Sequence, residues 1–204
     1  LGPYSRGGKS RHQVQASDHD LGSKEKYIPF GLVDEDKGAL QIYFGSSHKT
    51  SDFIVDCLEA WWDGLSTSEQ RKMSLLQLKV DNGPESRGIR TQFLKRMVDV
   101  CDRIQKPIQL LYYPPYHSKY NPIERCWGIL ELHWNGTLLT DVQTMLAWAQ
   151  SMTWKGQHPR VYLNQKTYPK SIALLKIDMQ EIELRLLRHP DLPKWDILIQ
   201  PNLG

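Results

Sequence analysis

Apolar residues recur along this chain with two periods. Alternating or short apolar runs bounded by turn residues predict strands over 28–33, 40–44, 75–80, 108–113 and 195–199. Pro29 confines the first to a sheet edge or a strand start, and Asp34-Glu35-Asp36-Lys37-Gly38 reads as the hairpin turn into the second. A shorter alternating run, 12–16, reads as an edge strand or β-ribbon. Helical spacing predicts a helix capped by Ser51 or Asp52 and running through Asp63, with Phe53, Cys57, Ala60 and Trp61 inward and Gly64 as its stop. A second helix is expected from Arg87 to Ile104, with Phe93, Leu94, Met97, Val98 and Cys101 on its apolar face. Asn121-Pro122 suits the start of a third, which reaches Trp134 and buries Ile123, Trp127, Leu130 and Trp134. Further helices are expected over 141–154 and from Asp178, where Asp178 and Glu181 form a capping box, to Arg188. Residues 155–167 read as loop with a short strand.

This order of elements predicts an α/β fold, a mixed sheet flanked by helices with a helical C-terminal tail. An RNase H-like layout fits it, as do other α/β folds. With 204 residues the chain can bury one core plus a small appended subdomain. Hydrophobic residues at 40% and charged residues at 24% are ordinary for a soluble protein, and a net charge of +3 does not identify a nucleic-acid binder. Cys57, Cys101 and Cys126 are widely spaced and odd in number, which suits a reducing cytoplasm and offers no disulfide framework. Cys101, Cys126, His117 and His133 match no structural zinc spacing, so buried thiols are the simpler reading. No run approaches a membrane span, and no signal peptide is visible.

Two carboxylates stand where chemistry could use them. Asp81 ends a predicted strand, with Asn82-Gly83-Pro84 opening the loop beyond, and side chains at strand ends face the crevice of an open α/β sheet. The same tetrapeptide is also a simple turn, its Asp accepting local hydrogen bonds. Glu124 falls at the third position of the helix opened by Asn121, where a carboxylate serves a capping box and meets the helix dipole. If the two converge, they make an all-oxygen site suited to Mg²⁺ or Mn²⁺. Two such ions activate an attacking oxygen and stabilise the leaving one in phosphoryl transfer.

The segments VDNGPE, RTQFLKR, YYPPYHSKYNPIERCWGILELHWNG and MTWKGQHP, in that order, resemble the Rhodopirellula-type DDE transposase domain of bacterial insertion sequences. The likeness runs from SRGGKSR through TSDFIVDCLEAWW to LPKW, nearly the whole chain. It implies an RNase H-like catalytic core over 1–136, with a C-terminal helical extension over 137–204 packed on it. It implies transposition chemistry, DNA strand cleavage followed by strand transfer, with Asp81 as the second and Glu124 as the third acidic metal ligand of a two-metal Mg²⁺ or Mn²⁺ site. The first aspartate belongs on a strand upstream of GPYSRGGKSR, and no Asp precedes Asp18. The chain opens on Leu1 rather than Met, so the expectation is an N-terminally truncated core whose first strand lies further upstream, with Asp18 or Asp20 as fallbacks.

The partner so implied is DNA, both element ends and target, with a homodimer as a further expected assembly and the bacterial cytoplasm and nucleoid as the location. Lys9 and Arg11, Arg87 and Arg90, and His117 and Lys119 are the expected phosphate contacts, with Lys95 and Arg96 extending the second cluster. Tyr112, Tyr113, Tyr116 and Tyr120 divide between base stacking and packing. Competing readings are a truncated, inactive DNA-binding remnant and a stand-alone RNase H-like nuclease that cuts without joining.

Overall fold

The computed structural model describes residues 26–114, 120–137, 139–170, 172 and 174–202. In chain order they form β1 (Ile28–Asp34), β2 (Ala39–Gly45), α1 (Ser51–Asp63), α2 (Thr67–Lys72), β3 (Leu76–Val80), α3 (Thr91–Ile104) and β4 (Ile108–Tyr112). Then follow α4 (Pro122–His133), α5 (Val142–Ser151), β5 (Arg160–Asn164), α6 (Lys176–Glu183), β6 (Leu186–Arg188) and β7 (Asp196–Ile199). Two mixed sheets flanked by these helices bear out the α/β class and are consistent with an RNase H-like fold. The expected ribbon over 12–16 lies outside the described residues.

The chain divides into two compact units. Of the described residues, one takes those up to Ser47 together with those of Pro122–Lys166; the other takes those of His48–Asn121 and those from Thr167 onward.

In the first unit β2 is central, antiparallel to β1 and parallel to β5. The turn between β1 and β2 needs a left-handed residue, which Gly38 supplies at φ 66°. Alternate β2 residues Leu40, Ile42 and Phe44 are buried against Cys126 and Leu130 of α4, Ala149 of α5, and Met152 and Trp154. Each such aliphatic or aromatic side chain stabilises the unit by about 1.5–3 kcal/mol. Ile123, Trp127 and Trp134 flank this core as the helical spacing predicts. Gly31 of β1 permits the close approach of α4, since a Cβ there would stand 2.3 Å from Ile123 Cδ1 and 2.9 Å from the Trp127 ring.

In the second unit the strand order is β3-β4-β7-β6, with β3 and β4 parallel and the remaining pairs antiparallel. Ile108 and Leu110 of β4 and Ile197 and Ile199 of β7 are fully buried. The apolar face of α3 covers them with Phe93, Leu94, Met97, Val98 and Cys101, as expected. The inward face of α1 is rotated from the sequence reading. Val55, Leu58 and Trp62 join Phe53 and Cys57 in the core, while Ala60 is exposed and Trp61 only half-buried.

That rotation turns the acidic stripe of α1 towards α3. Arg96 donates to Asp52 Oδ1 at 2.6 Å, Asp56 Oδ1 at 2.8 Å and Glu59 Oε2 at 3.0 Å. Gln92 holds both oxygens of Asp52, Arg103 reaches Glu59 and Asp63, and the Tyr168 hydroxyl donates to Asp56. Burial works against the Arg96 charge, yet the hydrogen bonds to Asp56 and Asp52 outweigh it and raise its pKa above that of free arginine.

Several boundaries differ from the sequence reading for local reasons. Thr50, not Ser51 or Asp52, caps α1 by accepting from Phe53 N. Helix α2 is an addition to the sequence reading, although Ser66 and Glu69 form a complete capping box in front of it. The helix expected from Arg87 starts at Thr91, because the preceding residues fold back as turns on Gly83 O and Arg87 O. The helix expected to reach Arg188 ends at Glu183, and Leu186–Arg188 pairs with β7 instead. Beyond residue 137 the chain thus supplies strands as well as helices.

Candidate active site

Asp81 follows directly on β3 and begins a loop held by hydrogen bonds. Ser86 N and Arg87 N both donate to Gly83 O, at 3.2 and 3.0 Å, which closes the loop on itself. The turn brings the buried Ser86 hydroxyl back to Asp81, 2.9 Å from Oδ1 and 3.1 Å from the main-chain carbonyl. Ser86 is fixed in turn from below, since the buried Tyr112 hydroxyl donates to its carbonyl at 2.8 Å. Burial raises the Tyr112 hydroxyl pKa; Arg188 opposes the rise and the Asp81 charge adds to it. Gly88 must lack a side chain here, because a Cβ would stand 2.4 Å from the Lys194 carbonyl.

Asp81 itself remains exposed, and Ser86 is its one side-chain partner among the described residues. Its Oδ2 faces Gly83, where even a Cβ would stand only 3.3 Å away. The turn alternative is therefore only partly realised. The loop is built by main-chain bonds and Ser86, and one carboxylate oxygen is left over.

Glu124 sits in the first turn of α4 and is exposed. Among the described residues its carboxylate accepts no hydrogen bond and pairs with no cation. Its neighbours Ile123, Cys126 and Trp127 turn into the core, so the same helix that buries them presents Glu124 outward.

The expected basic residues separate by partner. Arg87 is exposed, and no carboxylate pairs with it among the described residues. Arg90 pairs with Glu85 at 3.3 Å. Lys95 pairs with Asp99 at 2.9 Å, and Arg96 is committed to α1, so neither extends an open basic cluster. Lys9, Arg11, His117, Lys119, Asp18, Asp20 and Tyr116 lie outside the described residues. Tyr112 is buried packing, whereas Tyr120 is 59% exposed. All three cysteines are free and buried, and burial lifts the thiols of Cys101 and Cys126 to about 11 and about 12, values that suit neither a nucleophile nor a metal ligand.

The residue that sequence reasoning misses is Ser86. Its signal is a hydroxyl five positions beyond the aspartate, inside a loop dense in Gly and Pro, and no periodicity marks such a contact. Among the described residues no three His, Cys, Asp or Glu side chains stand together as a metal-binding group, and no helix is long and apolar enough to cross a membrane.

Set beside known proteins, the chain matches the family model of the Rhodopirellula transposase DDE domain over residues 1–201. No curated protein and no solved structure matches it.

Proposed function

Because this chain belongs to the Rhodopirellula transposase DDE domain family, we propose that it is the catalytic domain of a DNA transposase, carrying out metal-dependent strand cleavage and strand transfer. Asp81 and Glu124 are, in this reading, two of its acidic metal ligands. The observation that supports it best is that, among the described residues, neither carboxylate is tied up in an ion pair. Most acidic side chains around α1 and α3 are locked in ion pairs. Asp81 keeps a spare oxygen at a strand exit, and Glu124, in the first turn of its helix, is exposed and has no partner among the described residues.

The donor set fits Mg²⁺ or Mn²⁺, since both residues offer only hard oxygen. When bound, the divalent ions supply Lewis-acid activation of the attacking oxygen and neutralise charge on the leaving one. The protein's own part is preorganisation. Ser86 holds Asp81 Oδ1 so that its carboxylate has one orientation, and Tyr112 anchors Ser86 from the core. We assign the remaining acidic ligand to a strand N-terminal to β1. That strand has a partner available, because β3 is an edge strand of its sheet among the described residues.

DNA is the substrate in this reading, and Arg87 is the best-placed of the described cations for a backbone phosphate. Lys9, Arg11, Arg90, His117 and Lys119 are proposed to add to that contact. Replacing Glu124 with Gln in the full-length protein removes the charge and keeps the volume. Strand cleavage and strand transfer on element-end DNA in Mg²⁺ should both fall to background, with the thermal melt unchanged. Strand transfer retained by this variant sinks the assignment.

A further inference from the structure

Arg188 closes β6 and reaches back 100 positions in sequence to Gly88. A guanidinium carries five N–H donors in a fixed planar fork, and four of them are engaged here. Nε and Nη2 donate to the two oxygens of Glu183, the last residue of α6. Nη1 divides its protons between two main-chain carbonyls, Gly88 O at 3.1 Å and Pro193 O at 2.8 Å. With its donors so committed and its side chain only 20% exposed, Arg188 is not a surface cation waiting for a phosphate.

The two carbonyls belong to different loops. Pro193 lies in the turn between β6 and β7, which closes through Leu192 N on His189 O at 3.2 Å and Trp195 N on Leu192 O at 2.9 Å. Gly88 lies in the loop that begins at Asp81. Its bare Cα is pressed so closely on the Lys194 carbonyl and the Tyr112 ring that a Cβ would stand 2.4 and 3.2 Å from them. Arg188 joins the two loops across that contact.

What this join adds follows from the other ties of the Asp81 loop. Besides the closure on Gly83 O, the Ser51 hydroxyl donates to Glu85 O at 2.7 Å and the Tyr112 hydroxyl to Ser86 O at 2.8 Å. Both hold the first half of the loop. In the second half Arg87 and Ile89 are exposed, so their side chains give it no packing. Among the described residues, Arg188 is the side chain from outside the loop that bonds to this half, and a charged donor makes the stronger bond. The cation also acts on the chain of hydroxyls behind Asp81. At the Tyr112 hydroxyl it opposes the rise in pKa that burial and the Asp81 charge produce.

We propose that Arg188 is a positioning residue for Asp81: by clamping Gly88 to the β6–β7 turn it fixes the second half of the loop and, through Ser86, the orientation of the carboxylate. The proposal rests on reading Asp81 as a metal ligand and extends that reading to the C-terminal segment, which becomes a working part of the site. Lysine cannot replace arginine here. A single ammonium group keeps the charge but cannot span Glu183 and both carbonyls at once.

The test is Mn²⁺ titration calorimetry on the full-length protein, with the electron paramagnetic resonance spectrum of the bound ion at saturation as a second readout. Arg188→Lys should weaken Mn²⁺ binding about tenfold and change the spectrum, because the carboxylate meets the ion in a different geometry. Added to Ser86→Ala, it should cost far less than a further tenfold, since both changes act on one carboxylate. Added to Asp81→Asn, it should cost nothing. Unchanged affinity, an unchanged spectrum, or a loss of the same size in the Asp81→Asn background overturns the proposal and leaves Arg188 a purely structural residue. Glu183→Gln, at a side chain 47% exposed, loosens the fork and serves where the lysine variant does not fold. It should weaken Mn²⁺ binding in the same direction by a smaller factor, and affinity equal to wild type overturns the proposal too. A wild-type protein that binds no Mn²⁺, or binds it equally well as Asp81→Asn, overturns the metal-ligand reading of Asp81 itself. Binding that needs Asp81 and ignores Arg188 overturns the proposal alone.

Discussion

Replacing Arg96 with Met probes the ion-pair seam between α1 and α3 while keeping most of the packing of the aliphatic stem. The Arg96 side chain is 20% exposed and its guanidinium faces Asp52, Asp56 and Glu59, whose side chains are 14%, 19% and 25% exposed. Removing it strips three carboxylates of their shared counter-ion at once. Breaking a fully buried pair by deleting one partner costs about 3–5 kcal/mol, whereas an exposed pair is worth about 0.2–1 kcal/mol. Water reaches this seam in part, so the lower end of the buried range applies, about 3 kcal/mol at pH 7. For a chain of this size that corresponds to a fall in Tm of about 6–12 °C. A control follows from the same helix: Lys95→Met breaks only the Lys95–Asp99 pair, with side chains 40% and 50% exposed, and should cost less than about 1 kcal/mol. Urea unfolding followed by circular dichroism at pH 7 measures both variants. A loss below about 1 kcal/mol for Arg96→Met refutes the argument.

Two further outcomes follow from the geometry. Ser86→Ala removes the hydroxyl that orients Asp81 but keeps the carbonyl that receives Tyr112, so the fold should survive while Mn²⁺ affinity, read by titration calorimetry, drops about 10–100-fold; unchanged affinity would remove Ser86 from the site. Asp102 accepts two hydrogen bonds from Arg185, at 2.6 and 3.1 Å, and these lower its pKa against an opposing effect of burial, with Asn202 N helping. Its folded pKa is depressed, so its contribution is present above the unfolded value of about 3.9 and disappears as pH falls through the folded one. Asp102→Asn should therefore destabilise the protein at neutral pH and converge on the wild type in acid; a gap that stays constant in unfolding curves from pH 7 to pH 2 counts against the pairing.

Legibility of the sequence follows the strength of the periodic signal. The apolar face of α3, the β1–β2 hairpin and the inward residues of α4 are readable because each side of the pattern is unmistakably polar or apolar. The start of α3 is not. Residues 87–90 are chemically acceptable in a helix, and what stops them is the closure of the preceding loop on Gly83 O, a contact that no propensity encodes. The inward face of α1 is ambiguous by one position because Trp61 and Trp62 are adjacent and equally apolar. Only the acidic stripe at Asp52, Asp56, Glu59 and Asp63, once seen to face Arg96 and Arg103, decides between them. Within the candidate site, Asp81 and Glu124 can be named from motif and position, yet Ser86 and Tyr112 cannot. They act through a turn geometry and a hydroxyl that reaches up from the core.

The place of β7 between β4 and β6 has a consequence for how the protein is made. Strand β4 meets β3, its neighbour on one side, across a single intervening helix, but its other neighbour is drawn from residues 196–199. A nascent chain paused on the ribosome after β5 would therefore carry β4 with one flank bare, its apolar residues waiting for a strand that is translated only after α6 and β6. Sealing so long a loop is entropically slow. During that interval the half-built sheet is the species most exposed to chaperones, proteases and its own copies.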